Sequence, residues 1–305
     1  MLAEINEFLR QVVIYSSIYT LAALGIVIAG RTGVFIIYGE GIMLTAASTG
    51  FLAAFMTGSW VMGFVVGALV GAVFGLFFIL LHEGVKLNQF IIGIGLIILG
   101  GGLSNLIYKL VVGVVMVAPR VPRVALIEIP LISELPILAA FFRQSPIVYL
   151  MYIATIVAYW FYYRTKYGLE SRAIGENPKA ADVMGISVTS RRLLSTIAGC
   201  ALIGIAGAYM PIVITGSYTP DMTGDRGFMA IGIAIFASWK PQLAILGGFL
   251  FAAVEVIAVS LQLADTWVPY QFFLMLPFVT VLVVMMLLKK RIEWPASIGK
   301  SYERE

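Results

Sequence analysis

Three ionisable side chains stand where charge is costly: Glu40, Glu255 and His82 each lie within or at the end of a long apolar run. An ionisable group held among hydrocarbon marks a functional site by default. The competing use is a structural hydrogen bond to a neighbouring helix; Glu40 admits both readings, and Glu255 reads as structural. No ladder of acidic residues descends one run, so a proton relay is not expected. His82 is the sole histidine and Cys200 the sole cysteine. An intrachain disulfide and a cysteine-based metal site are therefore excluded, and a carboxylate-only metal centre is not expected. Ser-His-Asp catalysis would have to use His82, which has no evident partner. Gly299-Lys300-Ser301 imitates the end of a phosphate-binding loop, but Trp294 stands where its first glycine belongs and no strand precedes it. The chain reads as neither an enzyme nor an ATP binder.

The elements around these residues belong to a membrane protein. Apolar residues make up 61% of the 305 and charged ones 12%, against about 45–50% and about 25% in soluble domains. That excess excludes a soluble enzyme, a nucleic-acid binder and a disordered chain. Nine apolar runs follow one another: Gln11–Gly30, Ile42–Met56, Val61–Leu81, Gln89–Val112, Pro146–Tyr163, Leu193–Thr215, Gly227–Ser238, Leu243–Leu263 and Phe272–Leu288. A bilayer core takes about 20 residues of helix, and only a helix satisfies its own backbone within one segment there. The runs lack the alternation of a β-barrel. The predicted fold is all-α and polytopic, one transmembrane domain over residues 1–305 with about nine spans, some discontinuous.

Orientation follows from the basic residues. Arg164, Lys166, Arg172, Lys179, Arg191 and Arg192 crowd the connection 164–192, and Lys289, Lys290, Arg291, Lys300 and Arg304 the tail 289–305. Four runs separate the two, so both can face the cytoplasm, with the N-terminus outside and its first run retained rather than cleaved. The connection Gly113–Ser145 then faces outward. Its prolines (Pro119, Pro122, Pro130 and Pro136) suggest an ordered segment, and Leu131–Phe142 a short interfacial helix.

Gly63, Gly67, Gly71 and Gly75 recur every four residues and make one stripe for close helix packing. Gly100-Gly101-Gly102 weakens the fourth run, and a kink or unwound turn is expected there. Two segments read as broken spans: Gly30–Gly41 and Thr223–Phe228. Transporters build midplane sites from such interruptions in corresponding halves.

The loop 164–192 carries the most information. Asn177 before Pro178 is biased to extended geometry and can cap a helix. Pro178 suits a first turn, Lys179–Met184 a short helix, and Gly185 its stop. The small residues Ala180 and Ala181 fit a docking knob for another protein.

Arg172-Ala173-Ile174-Gly175-Glu176-Asn177-Pro178-Lys179-Ala180-Ala181-Asp182, with Gly185-Ile186, resembles the coupling-helix segment of ABC importer permeases of the branched-chain amino acid, simple-sugar and nucleoside branch. Asp221–Phe228, Trp239-Lys240-Pro241, Asn88-Gln89 and Gly39–Met43 are similar to the nucleoside and simple-sugar members, and the likeness runs from the first span to the last. At Asp225 relatives often carry glycine. The resemblance implies two permease subunits, here a heterodimer, with two cytoplasmic ATPases docked on the coupling helices. A periplasmic protein or lipoprotein would deliver the substrate. ATP and magnesium would sit on the ATPases, with no cofactor bound by this chain. The implied ATPase contacts are Glu176, Asn177, Pro178, Lys179, Ala180, Ala181, Asp182 and Gly185; the implied pathway residues are Glu40, Asn105 and Tyr218. Nucleosides are the expected cargo, with simple sugars or branched-chain amino acids as alternatives. An ion-gradient-driven carrier would explain the broken spans but leave the 164–192 loop without a role.

Overall fold

A computed structural model describes residues 2–113, 119–128, 139–263, 269–288, 292–300 and 302. Its helices are α1 (Leu2–Gly30), α2 (Gly39–Thr57), α3 (Trp60–Ile79), α4 (Gln89–Val112), α5 (Ala139–Phe142), α6 (Pro146–Arg164), α7 (Lys166–Glu176), α8 (Pro178–Val183), α9 (Val188–Tyr209), α10 (Arg226–Phe236), α11 (Pro241–Leu263) and α12 (Tyr270–Leu288). Single π-turns, Leu80–Gly84 and Met210–Ile214, extend α3 and α9. A two-residue hairpin, Ile127–Glu128 against Arg143–Gln144, is the sheet among the described residues. Each of the nine apolar runs is helical over most of its length, and among the described residues eight helices are long and apolar enough to cross a membrane. The ninth, α10, has 11 residues.

α1 lies at the centre, 83% buried over its most apolar window, whereas the corresponding window of α12 is 6% buried and forms the rim. The glycine stripe of α3 faces α9. A Cβ on Gly71 would overlap the Cys200 carbonyl, and one on Gly67 would meet the Gly204 carbonyl at 3.0 Å. Backbone-to-backbone approach of this kind replaces the hydrophobic drive that lipid removes.

The triple glycine behaves otherwise than its sequence suggests. α4 runs unbroken through Gly100, Gly101 and Gly102. Gly100 is where the backbone of α2 crosses: a Cβ there would overlap Gly41, and Thr45 Oγ1 donates to the Gly100 carbonyl at 3.1 Å. Gly101 and Gly102 face open space. Close packing on one side, with helix hydrogen bonds intact, removes any reason to unwind.

Ser297 N–H donates to the Gly175 carbonyl at 2.9 Å, so the 164–192 connection and the tail share one face, here the loop face. Four crossings separate them because the 215–225 segment and α10 together make one. Of the predicted interfacial helix 131–142, residues 139–142 form α5 and the remainder lie outside the described residues, as do Pro130, Pro136, Lys289, Lys290, Arg291 and Arg304.

Candidate functional site

The two broken spans meet. After α1 the chain doubles back through 31–38, extended from Val34, and re-enters helix at Gly39. α10 begins against that point and ends by the loop-face end of α1, where Arg31 Nε donates to the Trp239 carbonyl at 2.6 Å. Burial there pulls the Arg31 guanidinium below its ordinary pKa. Eleven residues at 1.5 Å each carry α10 about 16 Å, roughly half a 30 Å bilayer core. α10 is thus a half-span, whereas α2, with 19 residues, is long enough to cross; the two start together and run to opposite faces, an arrangement transporters build from interrupted segments.

Glu40 clasps this junction. α10 has no side-chain cap of its own. The Glu40 carboxylate, 4% exposed, accepts the Gly227 N–H at 2.7 Å, the Asp225 N–H at 3.2 Å and the Thr223 hydroxyl. A carboxylate suits the positive end of a helix. Gly227 has no side chain because a Cβ would strike the Glu40 backbone. Asp225 holds φ of +63°, the left-handed region that glycine enters at no steric cost. The junction is tied laterally by Glu255 of α11, which accepts from Arg226 Nε and Nη2 and from the Tyr19 hydroxyl of α1, while Arg226 Nη1 donates to the Thr223 carbonyl at 2.8 Å. Glu255 therefore makes the interhelix bond expected of it.

A second polar strip joins α2, α4 and the 215–225 segment. Ser48 Oγ donates to the Ser104 carbonyl at 2.8 Å, and the Ser104 and Tyr218 hydroxyls share a short hydrogen bond. The Tyr218 ring lies 4.7 Å from that of Tyr108 and 6.4 Å from that of Phe51. Asn105 adjoins this strip, and its buried Oδ1 has no hydrogen-bond partner. No hydrogen bond among the described residues joins Glu40 to Asn105 or Tyr218, so the three sit in two clusters.

On the loop face, Asn177 is extended (φ −147°, ψ 94°) and its side chain accepts the Ala180 N–H at 3.1 Å, capping α8 behind Pro178 at its first turn. Gly185 follows with φ of +81°. Glu176, Asn177, Lys179, Ala180 and Gly185 are exposed, Pro178 and Asp182 half-buried, and Ala181 buried. Val183 and Met184 project outward, 86% and 80% exposed. The sequence reading passed over α7, which precedes α8. Its signal was Thr165, whose hydroxyl accepts the Gly168 N–H at 3.1 Å; Gly168 and Gly175 hid it by lowering helix propensity. In the helix both pack, since a Cβ on Gly175 would overlap the Arg31 carbonyl.

Also unforeseen is a buried knot on this face. Arg192, fully buried, pairs with Glu83 at 2.7 Å and donates to the Thr32 carbonyl at 3.0 Å and the Lys300 carbonyl at 3.2 Å. His82 does have partners, Gln89 at 2.8 Å and the Leu87 carbonyl at 2.9 Å. In sequence, Arg192 was one more member of a basic cluster.

Fold and junction together define a polytopic helical membrane protein whose spans are interrupted at its core. Residues 8–286 match the family described as branched-chain amino acid transport system / permease component, and the chain belongs to it. The putative glucose ABC transporter permease protein TsgC13 of Haloferax volcanii is 34% identical over 81% of this chain and 75% of its own. The guanosine ABC transporter permease protein NupQ of Bacillus subtilis is 26% identical over 95% and 94%. The nucleoside ABC transporter permease protein NupC of Lactococcus lactis is 30% identical over 57% and 56%. A putative metal-chelate type ABC transporter, solved in an inward-facing conformation, shares the fold at a TM-score of 0.50 and 15% identity, over 92% of this chain and 85% of that one. The protein is an ABC importer permease, and its relatives are transport subunits rather than enzymes.

Proposed function

We propose that this permease carries nucleosides inward across the cytoplasmic membrane, driven by ATP hydrolysis on partner subunits that grip residues 176–185. The observation that carries the reading is α8: a short helix capped at both ends, anchored by Ala181 and presenting Val183 and Met184 outward. Exposed apolar side chains on a fixed helix beside a membrane favour a protein partner. Its contacts are Glu176, Asn177, Pro178, Lys179, Ala180, Asp182 and Gly185; Ala181, expected among them from the sequence, is buried on the packed side of α8 and anchors it instead. In this reading the loop face is cytoplasmic and the N-terminus outside. The second permease subunit is a sister chain, and a binding protein or lipoprotein delivers cargo from outside. Cargo passes Glu40, Asn105 and Tyr218, the last set among the tilted rings of Tyr108 and Phe51, and aromatic faces of this kind suit a nucleobase.

ATP can bias the membrane part only if α8 contacts the ATPases differently in their two states. Replacing Glu176 by Lys is therefore expected to abolish uptake while leaving the chain folded; unchanged uptake would count against the docking. Glucose is the second reading, favoured by the 34% identity to TsgC13. Competition of guanosine against glucose for uptake separates the two.

A further inference from the structure

Residues 292–300 and 302 lie against the loop face. Trp294 lies 4.6 Å from the ring of Trp239, just past α10, and 6.2 Å from Phe35 of the re-entrant segment. Ser297 donates its N–H to the Gly175 carbonyl, while its hydroxyl lies 2.7 Å and 3.0 Å from the Gly175 and Ile174 carbonyls. Gly299 N–H donates to the Gly33 carbonyl at 3.0 Å. Lys300 offers its carbonyl to Arg192, and Tyr302 offers its own to Lys86 at 2.7 Å. The Tyr302 side chain, 7% exposed, packs with Ile174, Ala181 and Val188, directly behind α8.

One short segment thus touches α8, α7, the start of α9, the re-entrant segment that leads into Glu40, and the turn that ends α10. We infer that this tail is a transmission strap: Tyr302 and Ser297 are positioning residues that pass displacement of α8 to the α2–α10 junction. Without it, α8 reaches that junction through the α7 backbone, where Gly175 packs on the Arg31 carbonyl. The inference rests on the ATPase-docking reading of α8.

The test uses the complete importer, purified with its ATPases. Met56, 71% exposed at the end of α2, is replaced by Cys and reacted with a maleimide, with and without ATP and vanadate; Cys200 is fully buried and so is not the reactive thiol. In the otherwise intact chain nucleotide should change the labelling rate by about fivefold or more, the lower end of usual site-to-site coupling. With Ser297→Ala and Tyr302→Ala added, that difference should collapse while the ATPases stay bound and hydrolyse ATP. Tyr302→Phe in place of Tyr302→Ala should restore much of it, because the ring that packs on Ile174, Ala181 and Val188 remains. Full retention of the nucleotide response in the double variant would overturn the strap. If the double variant does not assemble, Ser297→Ala alone is scored by the same criterion. ATPases that fail to co-purify even with the intact chain would instead remove the docking reading.

Discussion

Glu40 shows how one side chain can join two distant pieces of backbone. Its carboxylate caps a helix 187 residues further along the chain. The Glu40→Gln variant can accept at one oxygen only, leaving a buried N–H or hydroxyl unpaired. A hydrogen bond to a charged group contributes about 1.5–3 kcal/mol, so a fall in the thermal midpoint in detergent is expected, and no change would argue against the clasp. Asp225 permits a finer comparison. Asp225→Gly should leave the midpoint nearly unchanged, whereas Asp225→Val should lower it, since a β-branched residue at φ of +63° is strained. Sequence placed Glu40 beside glycines at a break, and that much was legible. It could not give Thr223 and Gly227 as partners, because no local pattern records a contact across 183 or 187 residues. The Arg192–Glu83 pair was hidden for the same reason.

At the scale of elements, glycine means different things on neighbouring helices. On α3 it permits contact, so Gly71→Leu should prevent α3 from seating on α9 and give aggregated or degraded protein. On α4, Gly101 meets nothing, and Gly101→Ala should be tolerated or raise stability by about 0.5–1 kcal/mol, the usual helix advantage of alanine. A midpoint measurement on both variants checks the contrast. The stripe of four was readable because its period matches one helix face. The triple glycine misled because local propensity weakens a helix that tertiary packing then preserves. For α8 the cap, proline and stop were all local, so the element was legible nearly to the residue. Replacing Asn177 by Ala removes that cap, worth typically about 1 kcal/mol; it should weaken ATPase co-purification without altering expression, and unaltered binding would show that the cap is dispensable.

For the whole molecule, the number of crossings and the common side of the two basic segments followed from counting apolar runs and arginines. The segments before α2 and α10 appeared only as broken runs, and the meeting of the two helix starts needed the fold. What that fold offers is an interrupted core linked through the re-entrant segment to a helix on one face. The proposed transport then requires energy delivered at α8. The most direct measurement is uptake of labelled guanosine into vesicles that hold the permease pair and its ATPases, with binding protein supplied on the outer side of the permease and no ion gradient. Uptake that depends on ATP at the loop face, and is lost with Glu176→Lys, is the predicted result. Uptake by this chain alone on a sodium or proton gradient, with no ATP consumed, would contradict it.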